Sequence, residues 1–166
     1  MSAVANASNA VVVCPSCGTK NRVPSSARGA PRCGRCRNPL PWIIDSSDAD
    51  FSRVADASTV PVLVDVWAPW CGPCRMVSPV LEQLATEFAG TLKLVKVNAD
   101  EAPDVSRRFQ IRAIPTLILM RHGEVIDTQI GAAPAPALRS WLTAHLPSAD
   151  AAHGPSDVAA TEEDRR

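Results

Sequence analysis

The chain has 166 residues, 46% of them hydrophobic, with 17 basic against 17 acidic side chains. That length fits one ordinary domain plus a small appendage. The zero balance argues against a dedicated nucleic-acid binder, which needs a basic surplus, and the hydrophobic content excludes a fibrous or wholly disordered chain.

The balance conceals two unlike pieces. Residues 1–40 carry Lys20, Arg22, Arg28, Arg32, Arg35 and Arg37 and no acid, so the remaining chain is acidic. Met1 to Ala10 lacks a basic leader and Val11-Val12-Val13 is too short for a secretory core. No stretch nears the roughly 20 apolar residues that span a bilayer. The expectation is a cytoplasmic protein without membrane contact. Thiols stay reduced there, so its 6 cysteines point to metal or redox chemistry.

In chain order, the first cysteines are Cys14-Pro-Ser-Cys17 and Cys33-Gly-Arg-Cys36. Their separation matches the spacing of a four-cysteine zinc site. Two residues between thiols let both sulfurs reach one ion, with Gly18 and Gly34 expected to supply the tight backbone. Four thiolates around one Zn²⁺ leave no open position, which makes the metal structural. A redox-sensitive zinc, free thiols and disulfides are the alternatives. The basic residues offset the cluster's negative charge, and no aromatic interleaves them before Trp42, so nucleic-acid stacking has little support. Residues 1–44 are read as a zinc ribbon and 45–50 as a Ser/Asp linker ending in a helix cap.

From Phe51 to residue 147 the pattern alternates strands and helices. Val60 to Trp67 is nearly continuously apolar, as in a central strand covered on both faces, and Asp65 interrupts it. Cys71-Gly72-Pro73-Cys74 then opens an amphipathic helix closed by Gly90, with Pro79 expected to kink it. Strands are predicted at 92–98, 116–120 and 124–130, and helices near 104–109 and 136–145. The order implies an α/β fold with a mixed central sheet flanked by helices. Residues 148–166 lack apolar periodicity and are read as a disordered tail.

Cys71 lies at a helix start, where unpaired amides and the helix dipole favour a thiolate, so it reads as the nucleophile of a disulfide exchange. Cys74, one turn inside, reads as the resolving thiol. A carboxylate in an apolar strand is costly without a task or partner; burial raises its pKa toward neutrality, where Asp65 can take the proton from Cys74. A structural acid paired with Lys96 is the compatible alternative.

Residues 51–147 resemble the thioredoxin family through Trp67-Ala68-Pro69-Trp70-Cys71-Gly72-Pro73-Cys74, Lys96-Val97-Asn98-Ala99-Asp100, Ile114-Pro115-Thr116 and Gly131. The added zinc ribbon resembles the bacterial thioredoxin 2 subgroup. The resemblance implies a thioredoxin fold and a protein-disulfide reductase working through a redox-active Cys71–Cys74 disulfide, recharged by an NADPH-dependent thioredoxin reductase and acting on protein disulfides as a monomer. It assigns Lys96 to tuning Asp65, a cis peptide to Pro115, and substrate contact to Trp70, Gly72, Pro73, Ile114, Pro115 and Gly131. Ala113 departs from the glycine usual before Ile-Pro-Thr. A zinc-dependent protein-binding or holdase module carrying a thioredoxin domain is the alternative function; the intact Cys71, Cys74, Asp65 and Pro115 set favours catalysis.

Overall fold

The computed structural model describes residues 9–147, so the segment read as a tail, 148–166, lies outside the described residues. Strand β1 (Ala10–Val13) pairs antiparallel with β2 (Lys20–Val23) as a two-stranded ribbon. A five-stranded mixed sheet follows, in the order β3-β5-β4-β6-β7. Its strands are β3 (Ile43–Ser46), β4 (Val62–Trp67), β5 (Lys93–Asn98), β6 (Thr116–Arg121) and β7 (Glu124–Ile130). The first three run parallel, whereas β6 and β7 form an antiparallel hairpin on β4.

Period-2 alternation sends neighbouring residues of each strand to opposite faces. Leu63, Leu94, Leu117 and Leu119 meet helices α1 (Gly72–Glu87) and α3 (Ala135–His145) in one apolar cluster. Val62, Val64, Val66, Val95 and Val97 meet the second cluster on the other face, with Phe51, Val54 and Val105 of the short helix α2 (Pro103–Arg108). Both faces are covered, which explains why β4 reads as a nearly continuous apolar run. Helix α1 continues through Pro79 without interruption.

One boundary differs from the sequence reading. Ile43 and Ile44 are paired with Leu94 and Val95, and Asp45 and Ser46 with Lys96 and Val97. The last ribbon residues and the first linker residues are thus an edge strand, because parallel pairing with a strand fifty residues later supplies hydrogen bonds that no local pattern announces. Residues Ser52–Asp56 form one π-helical turn.

The ribbon also shares the main core. Val23, Leu40 and Trp42 are buried in the same cluster as Val62 and Val95. At the junction Trp42 Nε1 donates to the Pro24 carbonyl at 2.9 Å, and Gly29 N donates to Thr59 Oγ1 at 3.1 Å. Lys93, 1% exposed, donates through Nζ to the carbonyls of Ser25 and Val54 at 2.6 Å each, its ammonium lying 4.3 Å from the Trp42 ring centroid. Burial holds this ammonium down at about 8, with the nearby Arg53 adding to the shift.

Candidate active site and metal centre

Strand β4 emerges from the sheet at Trp67 and turns through Ala68-Pro69-Trp70 into Cys71, the N-cap of α1. Cys71 is extended there, and its sulfur accepts from the Cys74 amide at 3.2 Å. Pro73 fits the first turn because its missing N–H would have no intrahelical partner. Cys71 and Cys74 are joined as a disulfide; they are 5% and 2% exposed. Gly72 and Pro73, between them, face solvent.

The Ile114–Pro115 peptide is cis, as the family resemblance implied. The Ile114 carbonyl lies 3.9 Å from the Cys71 sulfur. Gly131, at φ +89°, donates its amide to the Pro115 carbonyl at 2.8 Å, fixing the end of β7 against this loop. Trp70 is 69% exposed, and its indole donates to Asp100 at 3.0 Å. A groove of about 500 Å³ opens beside it, lined by Trp70, Ser106, Ile111, Arg112, Ala113 and Ile114 among others.

Asp65 is 1% exposed on the α1 face of β4, and neither carboxylate oxygen has a hydrogen-bond partner. Burial pushes its carboxyl up to about 6, against the pull of the Lys96 charge, while Glu82 adds to the rise. Lys96 is its register neighbour on β5. The direct Asp65–Lys96 pairing weighed from sequence does not form: Nζ of Lys96 donates instead to Ser78 Oγ at 2.5 Å and to Glu82 at 3.3 Å. Ser78 lies one helical turn beyond Cys74, and these two side chains help line a cavity of about 100 Å³ with Trp67, Arg75 and Lys96. Sequence reading missed Asp100, Ser78 and Glu82. The i+4 step from Cys74 to Ser78 was the available signal.

Residues 42–144 match the family model described as Thioredoxin. The chain belongs to the thioredoxin family. Residues 13–38 match a second model, described as Thioredoxin 2, N-terminal. The chain is 46% identical over 104 residues to the thioredoxin of Haemophilus influenzae, covering 63% of this chain and 97% of that one. It is 48% identical over 100 residues to thioredoxin 1 of Synechococcus elongatus, covering 60% and 94%. The thioredoxin fold, the Cys71–Cys74 disulfide and these relatives make the protein a thiol–disulfide oxidoreductase, a protein-disulfide reductase of the thioredoxin type.

The second centre is the ribbon. The Sγ atoms of Cys14, Cys17, Cys33 and Cys36 lie within 4.8 Å of one another. The Cys14–Cys36 and Cys17–Cys33 sulfurs are each 3.6 Å apart. Sulfurs at about 2.3 Å from one tetrahedral ion stand roughly 3.8 Å apart, so the donor set fits Zn²⁺. No disulfide joins these four. Each pair sits in a tight turn: Gly18 N donates to the Cys14 carbonyl at 2.9 Å and Arg37 N to the Cys33 carbonyl at 3.0 Å. The second turn therefore places Arg37, at φ +67°, where the first has Gly18; Gly34 instead donates its amide to Asn21 Oδ1 at 3.0 Å. Amides of Cys36 and Arg35 aimed at the Cys33 sulfur lower the pKa of that thiol, while burial and the neighbouring sulfurs raise that of Cys36.

Proposed function

We propose that Cys71 is the attacking thiolate and Cys74 the resolving thiol, with Asp65 taking the resolving proton and Lys96 setting the affinity of that acid. In the reduced protein, Cys71 attacks a substrate disulfide, forms a mixed disulfide and expels one substrate thiolate. Asp65 accepts the Cys74 proton. The Cys74 thiolate then attacks the Cys71 sulfur, expelling the second substrate thiolate and leaving the Cys71–Cys74 disulfide. Two electrons pass to the substrate.

The observation that carries this reading is the pairing of a disulfide at a helix N-terminus with a buried, unpartnered carboxylate on the strand beneath that helix. Trp70, Gly72, Pro73, Ile114, Pro115 and Gly131 frame the entry to Cys71, where the Ile114 backbone offers strand-like hydrogen bonds to a substrate chain. A single chain contains every group named, so a monomer suffices. Recharging is assigned to an NADPH-dependent thioredoxin reductase and the working compartment to the cytosol, where a dithiol stays reduced. Residues 14–36 hold one Zn²⁺, which cross-links the two turns of the ribbon when bound; the cofactor reading rests on the four-sulfur geometry. The ribbon and the thioredoxin unit are proposed as two functional pieces on one core.

The test uses NADPH, thioredoxin reductase and a protein disulfide. NADPH is consumed with the intact chain and not with Cys71→Ser, while Cys74→Ser accumulates a mixed disulfide on Cys71. Capture by Cys71→Ser and none by Cys74→Ser reverses the two roles.

A further inference from the structure

The ribbon is attached far from the reacting disulfide. From residues 9–41, every hydrogen bond to the rest of the described chain falls on Trp42, Arg53, Thr59 or Lys93. Pro39 meets Gly90, just past the end of α1. Lys93 and Val62 are paired at the start of β5 and β4, whereas Trp67 and Asn98 are paired at the end that leads to Cys71. Five strand steps separate the two ends by about 17 Å, and α1 runs back over a comparable length. The attachment pole therefore sits opposite the catalytic one.

On the ribbon's outer face, Val11 and Val13 are 64% and 55% exposed. Val11 is paired across the strands with Arg22, and Val13 with Lys20, so two aliphatic and two cationic side chains alternate over a patch whose cross-strand neighbours are about 5 Å apart. None of Lys20, Arg22, Arg28, Arg32, Arg35 and Arg37 joins an ion pair among the described residues, and all six are exposed. The ribbon supplies no acid of its own. Among the described residues, no carboxylate pairs with the cations around Val11 and Val13. Aliphatic side chains interleave these cations, and Trp42 is buried, so the face offers no aromatic platform for bases.

The geometry points to the Val11, Val13, Lys20 and Arg22 face as a docking surface for an extended, acidic protein segment in which Asp or Glu alternates with apolar residues. This inference rests on the reading of protein disulfides as substrates. A substrate held there by a segment distant from its disulfide returns repeatedly to Cys71, because tethering turns the second encounter into an intramolecular one.

The experiment uses the full-length reduced protein and two synthetic peptides. Each has an intramolecular disulfide and a Gly/Ser spacer of about 20 residues, spanning about 25 Å on average, followed by an Asp-Val-Glu-Leu or a Lys-Val-Lys-Leu repeat. The acidic peptide is expected to show a KM about tenfold lower, with similar kcat. The advantage disappears in Lys20→Glu/Arg22→Glu, shrinks in Val11→Ser/Val13→Ser and declines with salt, while metal content and reduction of a small aromatic disulfide stay unchanged. Fluorescence anisotropy of a disulfide-free acidic peptide follows the same order. Equal KM values for the two tails, an advantage that survives both double variants, or tighter binding of oligothymidine than of the acidic peptide overturns the docking surface. Failure to reduce the small disulfide overturns the reductase reading instead.

Discussion

Asp65 keeps both oxygens without hydrogen bonds in the sheet interior, and that isolation has an energetic and a chemical consequence. Its carboxyl stands at about 6, against an ordinary value of 3.8. Between pH 4 and 6 the folded chain retains a proton that the unfolded chain gives up, so stability falls as pH rises through that window and the penalty is complete above it. A shift of about two units corresponds to about 3 kcal/mol. Asp65→Asn is therefore expected to gain about 1–3 kcal/mol at pH 7 and almost nothing at pH 4, measured by urea denaturation at both values. The same variant loses the proton acceptor for Cys74. Resolution of a mixed disulfide should slow by at least about tenfold at pH 7, and its rise with pH near 6 should flatten. Wild-type resolution rates in Asp65→Asn from pH 5 to 8 would remove this residue from proton transfer.

Among the elements, β5 joins the two halves of the molecule. Its Lys96 faces α1 and the active disulfide, whereas Lys93, three residues earlier, faces the opposite side and holds the ribbon. Lys93→Ala removes two hydrogen bonds to backbone carbonyls and a cation over Trp42, leaving Ser25 and Val54 carbonyls without a donor. A loss of about 2–4 kcal/mol is expected in metal-loaded protein, with activity per folded molecule retained; unchanged stability would show that water replaces the ammonium at no cost. Lys93 also explains what sequence could convey. Strands β4 and β6 were legible as apolar runs bounded by turn residues, and β5 and β7 as β-branched segments set between turns. Lys20–Val23 is half charged, and Ile43–Ser46 mixes two apolar with two polar residues; both are strands because of partners elsewhere. A lysine inside a strand pattern reads as solvent-facing, and nothing local shows that a loop from residue 25 will cap it. The catalytic cysteines were legible because helix start, proline and spacing are all local. The cis peptide, like the role proposed for Lys96, came through family resemblance.

At the scale of the whole molecule, the ribbon cysteines Cys14 and Cys33 share a cluster with Val62 and Val95 of the sheet, whereas Cys71 and Cys74 sit in a separate one, so metal removal is expected to reach beyond the ribbon without reaching the disulfide. Zinc-type cross-linking supplies folding free energy of about 10–16 kcal/mol in small peptides, and the ribbon's large buried residues, Val23, Leu40 and Trp42, are few. Without the cation, four sulfurs within 4.8 Å cannot all remain thiolates. A strong chelator should therefore release about one zinc per chain, loosen β1–β2 and lower the melting temperature. Trp42, held by the Pro24 carbonyl, then reports the change by fluorescence. The sheet keeps β3 to β7, α1 and the Cys71–Cys74 pair, so reduction of a small disulfide continues. Brief peroxide treatment of the reduced protein converts two thiols and one peroxide into a disulfide and two waters. Peptide mapping should find Cys14–Cys36 and Cys17–Cys33 in excess over bridges within either turn, because those sulfurs stand 3.6 Å apart. Reduced protein purified without metal would remove zinc from the account, and complete loss of activity on chelation would show that the thioredoxin unit depends on the ribbon for its own fold.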